Sequence, residues 1–388
     1  MISLTLNAAK VKPILFGHPW VFPKAISNYS ATPDSGELVQ VLSPEGECIG
    51  YGVFNAASLY RVRMLSYAAE DIAPELSAIV SYRLRQAWDL RARLNLPNEF
   101  TTAFRWCNSE GDGLSGLTID VFHDVAVVSS SAYWVEQHRA LIEACLRDIM
   151  KPAHILWRSQ GKPLQQDGWT DVDEDPLHEI TQTVLENGIQ FSVDFRHTQK
   201  TGLFLDQRDN HRRIAELSRG KRVLDLYCYT GGFALHAAKA GAAMVTAVDS
   251  SAPAIEQAQA NAAQNGLTNV NFIHDDAKEY LARAGDYDII ILDPPKLAPS
   301  RAHIQKASSM YRFLHREIFH YLKPNSLLFT CSCSSAMTLP LFLQLINYSA
   351  QSSQRHCRIL GTFGASGDHT MLPGFSEGNY LQGVLLTV

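Results

Sequence analysis

Three carboxylates and two thiols follow apolar runs in the second half of this 388-residue sequence. Asp225 and Asp249 close the runs Val-Leu-Asp and Val-Thr-Ala-Val-Asp, and Asp293 closes Ile-Ile-Ile-Leu-Asp. Short apolar runs of this kind predict buried strands. The carboxyl ends of parallel strands meet at one sheet edge, where such folds bind nucleosides. The spacing therefore predicts a nucleoside site lined by carboxylates.

A glycine turn follows the first of these strands and precedes a predicted helix at 234–240. The turn lacks the Lys-Ser/Thr of a phosphate-binding loop and the Gly-x-Gly-x-x-Gly of a dinucleotide fold. The nucleoside is therefore expected to carry no phosphate, and S-adenosylmethionine fits that description. The residues expected to contact it on this strand and turn are Asp225, Tyr229, Thr230, Gly231 and Gly232.

Two further acids have both a ligand-binding and a structural interpretation. Asp249 is expected to accept hydrogen bonds from the ribose hydroxyls, which the spacing from the glycine turn favours over a helix N-cap. Asp276, after the third strand, could accept from the adenine amino group or cap the following helix. Upstream of the sheet, polar residues among apolar ones could cover the methionine end of the cofactor: Gln199, Lys200, Thr201, Asp206 and Arg208.

The segment Asp293-Pro294-Pro295-Lys296 indicates methyl transfer to a planar, nitrogen-bearing group. Two prolines fix an extended turn, which holds Asp293 beside the methyl donor. On the next strand, Cys331 and Cys333 point to the same face because strand side chains alternate. They are either small buried hydrophobes or a nucleophile: C5 of cytosine attacks a methyl group only after a thiolate adds to C6.

Hydrophobic patterning predicts a multidomain α/β fold. Residues 1–72 alternate short apolar runs with Pro, Gly, Asn and Ser clusters, which predicts a small β-barrel. Residues 73–195 predict a middle α+β domain that begins with a helix over 74–96. From 196 to 388 strands alternate with helices, which predicts a doubly wound, Rossmann-like sheet. The first helix is expected to bury one stripe: Ile79, Tyr82, Leu84, Ala87, Leu90 and Leu94.

Composition limits the cellular compartment and the partners expected for this protein. The chain has no apolar run of eighteen residues and no signal-peptide pattern at its N-terminus, so no membrane partner is expected. Seven dispersed cysteines suit a reducing cytoplasm, and Cys-x-Cys without a second pair predicts no metal site. The net charge of −5 is low for a nucleic-acid enzyme. Arginines at 83–93 and 208–213 form either a local basic surface or a solvated helix face, and the acidic segment 167–179 is expected to be a loop.

Taken with these motifs, the chain resembles the large-subunit ribosomal RNA cytosine-5 methyltransferases. His18-Pro-Trp-Val-Phe and Arg61-Val-Arg resemble the family's N-terminal PUA domain, a small RNA-binding barrel. Glu110-Gly-Asp-Gly-Leu-Ser-Gly resembles its middle domain. The catalytic domain is matched by four motifs: Gln199-Lys-Thr-Gly, Leu205-Asp-Gln-Arg, Tyr229-Thr-Gly-Gly-Phe and Leu292-Asp-Pro-Pro-Lys.

The resemblance implies that S-adenosylmethionine methylates C5 of a cytosine in 23S-type RNA. Its Ser-Cys-Ser motif falls on Ser332-Cys333-Ser334, which makes Cys333 the expected nucleophile, and Asp293 is then expected to hold the N3/N4 edge of the base. The RNA is expected to be unassembled or partly assembled, because the base must leave its stack. Whether the chain forms a homodimer is left open. The residues expected to contact RNA are His18, Trp20, Arg61 and Lys296.

Two alternatives remain. Methylation of a guanine nitrogen would use the same Asp-Pro-Pro turn and would need no thiol. A non-catalytic RNA-binding assembly factor would keep only a vestigial cofactor site. The intact Asp225, Gly231, Gly232, Asp249 and Asp293 argue against the second alternative.

Overall fold

The computed structural model describes residues 1–171, 179–196 and 202–388. The chain forms two compact units. Unit 1 contains Met1–Val184, Val193–Leu203 and Gly367–Gly378, and unit 2 contains Leu185–Ser192, Phe204–Ser366 and Asn379–Val388. The domain boundaries expected near residues 72 and 195 stay predictions.

Unit 1 begins with a mixed sheet that, in the described residues, has six strands. Alternating apolar residues such as Leu4, Leu6, Val39 and Val41 point to one side and form its core. A short helix, α1 (Val11–Leu15), interrupts what the sequence predicts as all-β. The strands are β1 (Ser3–Leu6), β2 (Trp20–Val21), β3 (Ile26–Tyr29), β4 (Leu38–Leu42), β5 (Cys48–Phe54) and β6 (Val62–Tyr67), in the order β2-β6-β5-β4-β1-β3.

A second sheet of unit 1 packs against helices, as expected for an α+β region. Its described strands, in the order β10-β9-β8-β7, are β7 (Ala103–Asn108), β8 (Leu117–Phe122), β9 (Val125–Ser130) and β10 (His154–Ser159). The helices are α2 (Leu76–Arg93), α3 (Tyr133–Gln137), α4 (Arg139–Ile149) and α5 (Gly161–Gln166).

The buried stripe of α2 differs from the predicted one. Tyr82 and Leu94 are exposed, whereas Arg83 and Arg91 are buried. Arg91 forms a two-pronged ion pair with Asp112, at 2.7 and 2.8 Å, and Arg83 pairs with Glu70 at 2.5 Å. A solvated helix face is therefore wrong for these two arginines, because ion pairing allows their long side chains to be buried.

A hairpin of β11 (Thr181–Glu186) and β12 (Ile189–Asp194) lies where the chain passes between the units. Its turn is Asn187-Gly188, with φ of 49° and 81°. Two positive φ values match the twist of the flanking strands, and Asn-Gly is the preferred sequence for such a turn. The tip of this hairpin, Leu185–Ser192, belongs to unit 2.

Unit 2 is a doubly wound sheet, which confirms the predicted fold class. Among the described residues its strand order is β15-β14-β13-β16-β17-β19-β18. The first five are parallel and β19 is antiparallel to both neighbours. The strands are β13 (Arg222–Leu226), β14 (Met244–Asp249), β15 (Val270–His274), β16 (Ile289–Leu292), β17 (Leu327–Cys333), β18 (Arg358–Phe363) and β19 (Leu381–Thr387).

Helices cover both faces of this sheet, with an apolar core on each side. The helix expected at 276–284 is a 3-10 helix, Ala277–Asp286. The α-helices are α6 (Arg208–Leu217), α7 (Gly232–Lys239), α8 (Ala252–Gln264), α9 (Ile304–Tyr321) and α10 (Leu339–Ser352). Within the described ranges, every helix is too short or too polar to cross a bilayer.

Candidate active site at the carboxyl edge of the parallel sheet

The turn after β13 has an unusual backbone. Tyr227, Tyr229 and Gly231 have φ of 67°, 48° and 91°. A side chain in this left-handed region costs about 1 kcal/mol or more, so the surrounding contacts must impose it. The amides of Tyr227 and Cys228 both donate to the Val248 carbonyl, at 2.9 and 3.0 Å. This strained turn lies at the sheet edge where β13 meets both β14 and β16.

Asp249 holds this turn in place. One carboxylate oxygen accepts from the Tyr229 amide at 2.9 Å, and the other accepts from the Ser251 amide at 2.9 Å. The N-cap of α8 is Ser251, whose hydroxyl accepts from the Ala254 amide. Asp249 is therefore not the cap of that helix. Each of its oxygens can accept a second hydrogen bond, as the ribose prediction requires.

Asp225 is almost completely buried beneath the turn. One oxygen accepts from the Ala234 amide at 3.0 Å, near the start of α7. Its Oδ1 has no hydrogen-bond partner within the described part of the chain. Burial, and then the charges of Asp293 and Asp249, raise the pKa of Asp225 to about 8. The three carboxylates therefore interact, and the site favours a positively charged ligand.

Asp276 and Gly232 have structural roles in this conformation. Asp276 caps the 3-10 helix by accepting from the Lys278 amide at 3.0 Å, and its side chain is half exposed. That hydrogen bond lowers the pKa of Asp276. A Cβ on Gly232 would lie 2.5 Å from the His211 ring, so this glycine accommodates a side chain of the protein. Their predicted contacts with the cofactor stay predictions.

Asp293 is held by a residue that the sequence analysis did not single out. The Gln207 amide nitrogen donates to Asp293 Oδ2 at 2.9 Å. The amide oxygen of Gln207 accepts from Asn210 at 2.7 Å, which fixes its orientation. The signal for Gln207 was its place in Leu205-Asp-Gln-Arg, between two residues that were predicted to contact the cofactor.

Asp206 and Arg208 are both buried in unit 2. The Tyr380 hydroxyl donates to Asp206 Oδ2 at 2.7 Å, and the Asp206 carbonyl accepts from the Ser366 amide at 2.8 Å. The Arg208 carbonyl accepts from Asn187. The other predicted residues of this stretch lie outside the described residues: Gln199, Lys200 and Thr201.

The two thiols on β17 share a face, as predicted, and differ in environment. Both pack with the cluster that contains Phe329. Cys331 is fully buried, and burial, with a smaller effect of Asp293, raises the pKa of its thiol well above the ordinary value. Cys333 is partly exposed at the strand's end. Only a thiolate is strongly nucleophilic, so the surroundings of Cys331 disfavour attack by that residue.

The predicted RNA-contacting residues of unit 1 lie within a group of aromatic rings. Trp20 packs 4.0 Å from Tyr60, measured between ring centroids, and His18 packs edge-on against Phe375. Arg61 donates to the carbonyls of Asn55 and Ala56. In unit 2, Lys296 is exposed after the Asp-Pro-Pro turn.

The residues at this edge fit S-adenosylmethionine. Its sulfonium and ammonium groups are cationic, and Asp249 and Asp293 supply carboxylates there. The buried oxygen of Asp225 that lacks a partner is one acceptor available to it, and Asp249 has acceptor capacity for ribose hydroxyls. The cofactor, when bound, supplies a methyl group that can be transferred.

Comparison with known proteins agrees with this geometry. Residues 138–359 match the family model of S-adenosylmethionine-dependent methyltransferases, and residues 4–67 match a PUA-like domain. A protein of known structure from Streptococcus mutans, described as a SAM-dependent methyltransferase, shares the fold, with a TM-score of 0.80 and 24% identity over the whole of both chains. A methyltransferase solved with S-adenosylhomocysteine has a TM-score of 0.83, also at 24% identity and full coverage.

Fold and site together define an S-adenosylmethionine-dependent methyltransferase that carries a PUA-like domain. A protein of Aeromonas hydrophila named ribosomal RNA large subunit methyltransferase I is 33% identical over 99% of this chain and 98% of its own. The protein of that name from Alteromonas mediterranea is 34% identical over 100% and 98%. The chain belongs to the ribosomal RNA large subunit methyltransferase I family.

Proposed function

We propose that this chain methylates C5 of a cytosine in large-subunit ribosomal RNA, with Cys333 as nucleophile. One observation supports the proposal: a partly exposed thiol and a carboxyl group held by a hydrogen bond lie at the ends of two neighbouring parallel strands. Cys333 ends β17, and Asp293 follows β16, the parallel neighbour of β17. Methylation of a guanine nitrogen needs the carboxylate but gives no role to the thiol.

The chemistry follows from the electron demand of the base. The Cys333 thiolate forms a bond to C6, the C5–C6 double bond is lost, and its electrons make C5 nucleophilic. In its protonated form Asp293 donates its O–H to N3, where the negative charge develops, and it accepts from the N4 amino group. After C5 is methylated, a base removes the C5 proton, the S–C6 bond breaks and the double bond returns. The proton returns to Asp293 when the S–C6 bond breaks. Cleavage of the S–C6 bond regenerates the Cys333 thiolate.

Gln207 supports this role of Asp293. Its amide donates to one carboxylate oxygen and is itself oriented by Asn210. A carboxyl group fixed in this way is already oriented to donate to N3 when negative charge develops on the base. Gln207 is therefore a positioning residue in the proposal.

The substrate is proposed to be RNA whose target base can leave its stack, as in unassembled or partly assembled subunits. Unit 1 would bind the RNA through His18, Trp20 and Arg61, and Lys296 would contact it beside the reaction centre. None of the seven cysteines is joined in a disulfide bond, which supports a cytoplasmic setting.

The test is methyl transfer from labelled S-adenosylmethionine to large-subunit RNA that lacks modifications, followed by digestion to nucleosides. The proposal predicts label in 5-methylcytidine, and more of it on protein-free RNA than on the assembled subunit. Label in a methylguanosine would overturn the assignment to cytosine. Cofactor binding without transfer to any RNA would instead favour a non-catalytic assembly factor.

A further inference from the structure

Three buried titratable side chains lie together in unit 2, outside the reaction centre. Glu186 ends β11, His211 lies on α6 and His236 lies on α7. All three are at least nine-tenths buried. His211 Nδ1 lies 2.6 Å from Glu186 Oε1, and His236 Nε2 lies 3.7 Å from the same oxygen. These three side chains are called the Glu-His-His cluster below.

The cluster touches the glycine turn at two points. His236 Nδ1 is 2.7 Å from the Gly232 carbonyl oxygen. The His211 ring fills the space that a Cβ on Gly232 would need, with Cε1 and Nε2 at 2.5 and 2.6 Å. Gly232 is the first residue of α7 and follows Gly231, whose φ is +91°. His236 therefore holds the carbonyl group of Gly232, and the His211 ring packs against its Cα.

The charges within the cluster are arranged to hold hydrogen bonds. Burial alone would raise the pKa of Glu186, but His211 foremost, then His236 and Arg208, lower it, so the carboxylate stays ionised. Burial lowers the pKa of His236 to about 4, so at neutral pH this ring carries one N–H. His236 Nδ1 faces the Gly232 carbonyl at 2.7 Å and Nε2 faces the Glu186 carbonyl at 3.1 Å, so either tautomer ties α7 to one of these two backbone oxygens. An ionised acceptor strengthens the bond from His211.

We propose that Glu186, His211 and His236 are positioning residues for the cofactor, because they fix the glycine turn from beneath. The hairpin tip is thereby joined to α6, which begins directly after Gln207, and to α7, which begins at the turn. Loss of the cluster would let Gly232 and the start of α7 shift. Cofactor affinity would fall, although none of the three side chains is proposed to touch the cofactor.

A metal ion is the competing explanation, since the candidate ligand atoms lie within 4.8 Å of one another. The geometry favours hydrogen bonding. Two ligands of a tetrahedral zinc ion stand about 3.3 Å apart, whereas His211 Nδ1 and Glu186 Oε1 are 2.6 Å apart. Arg208 already contributes positive charge near the carboxylate.

The test is calorimetric titration of the full chain with S-adenosylhomocysteine, which needs no RNA and so is independent of the proposed function. His211→Asn keeps a donor near Glu186 and removes the ring atoms beside Gly232. We expect His211→Asn and Gly232→Ala each to raise Kd about tenfold, the size of coupling expected between residues in contact. The double variant should bind no worse than His211→Asn, because its alanine no longer meets a ring.

Two further variants separate the hydrogen bonds. His236→Asn keeps a donor close to the Nδ1 position and should retain most of the affinity, whereas His236→Gln should lose it. The matched control is His315→Gln, a fully buried histidine on α9 that bonds Thr330. It should lower Tm and leave Kd unchanged.

Three results would overturn the proposal. In the first, Kd stays constant in His211→Asn and Gly232→Ala although Tm falls. In the second, the two effects on Kd multiply in the double variant. In the third, the purified protein contains one metal ion per chain that His211→Asn loses.

Discussion

At the scale of single residues, burial separates groups that the sequence leaves equivalent. Cys331 and Cys333 are two positions apart on one strand, yet only Cys333 is partly exposed. Asp225, Asp249 and Asp293 all lie at the carboxyl ends of strands, and Asp225 is almost completely buried there, which raises its pKa to about 8. Sequence spacing places such groups at one edge, but desolvation and hydrogen bonding decide which of them react and which hold the site together.

Gln207 provides the first prediction at this scale. Gln207→Leu keeps the volume and removes the hydrogen bond to Asp293, so kcat should fall about tenfold to a hundredfold, as for loss of a bond to a charged group. The Kd for S-adenosylhomocysteine should stay the same. The control is Gln264→Leu, an exposed glutamine on α8. An unchanged kcat in Gln207→Leu would contradict the role given to Gln207.

Buried histidines predict how stability depends on pH. Burial lowers the pKa of His236 and His315 to about 4 and about 3. Because the unfolded chain binds these protons near pH 6.5, it holds more protons than the folded chain between about pH 6.5 and pH 4. The free energy of unfolding should therefore fall as the pH is lowered through this window.

The measurement is urea unfolding at several pH values between 7 and 4.5, for wild type and His315→Gln. The variant has one fewer group that gains a proton on unfolding, so its free energy of unfolding should fall less steeply. Asp225 acts in the opposite direction: its raised pKa gives stability that is lost as the pH rises towards 8. Equal slopes in the two proteins would show that His315 does not contribute.

At the scale of elements, the site depends on a strained turn between two parallel strands. Gly231 has φ of +91°, and the helix α7 starts directly after it. Gly231→Ala and Gly220→Ala both place a Cβ at positive φ, and each should cost about 1 kcal/mol of stability. Only Gly231→Ala should also raise Kd for S-adenosylhomocysteine, since Gly220 has open space around it. Equal Kd values for Gly231→Ala and Gly220→Ala would show that the turn does not contribute to cofactor binding.

Sequence patterns anticipated the elements of unit 2 well and those with buried charge poorly. Runs such as Ile289–Leu292 are buried on both faces and are recognisable without any partner. The buried stripe of α2 was mispredicted because Arg83 and Arg91 occupy it through partners distant in sequence. Gln207 was overlooked for the same reason: its partner Asp293 is 86 residues away. Hydrophobic periodicity predicts which face of an element is buried, but it does not predict contacts between polar residues that are distant in sequence.

At the scale of the whole molecule, a net charge of −5 must be reconciled with an RNA substrate. Several arginines of unit 1 form ion pairs with carboxylates of the protein: Arg63, Arg83, Arg91 and Arg105. Attraction to RNA would then depend on where the remaining cations lie and not on the total charge.

Lys296 tests this point. Lys296→Ala and Lys323→Ala change the net charge equally, but Lys296 follows β16 at the carboxyl edge, whereas Lys323 precedes β17 at the opposite edge. Loss of one phosphate contact should weaken RNA binding and reduce the slope of log K against log salt by about 1. We expect this for Lys296→Ala alone, measured by filter binding at several salt concentrations. Equal slopes for the two variants would place the RNA elsewhere.

The central claim is that Cys333 attacks the base, and its most direct test compares the two thiols. Methyl transfer to unmodified large-subunit RNA would be measured for wild type, Cys331→Ala and Cys333→Ala, with the product digested to nucleosides. The account predicts 5-methylcytidine from wild type and Cys331→Ala, and none from Cys333→Ala even though that variant binds S-adenosylhomocysteine normally. Continued methylation by Cys333→Ala would contradict the covalent mechanism and leave the thiol with a structural role.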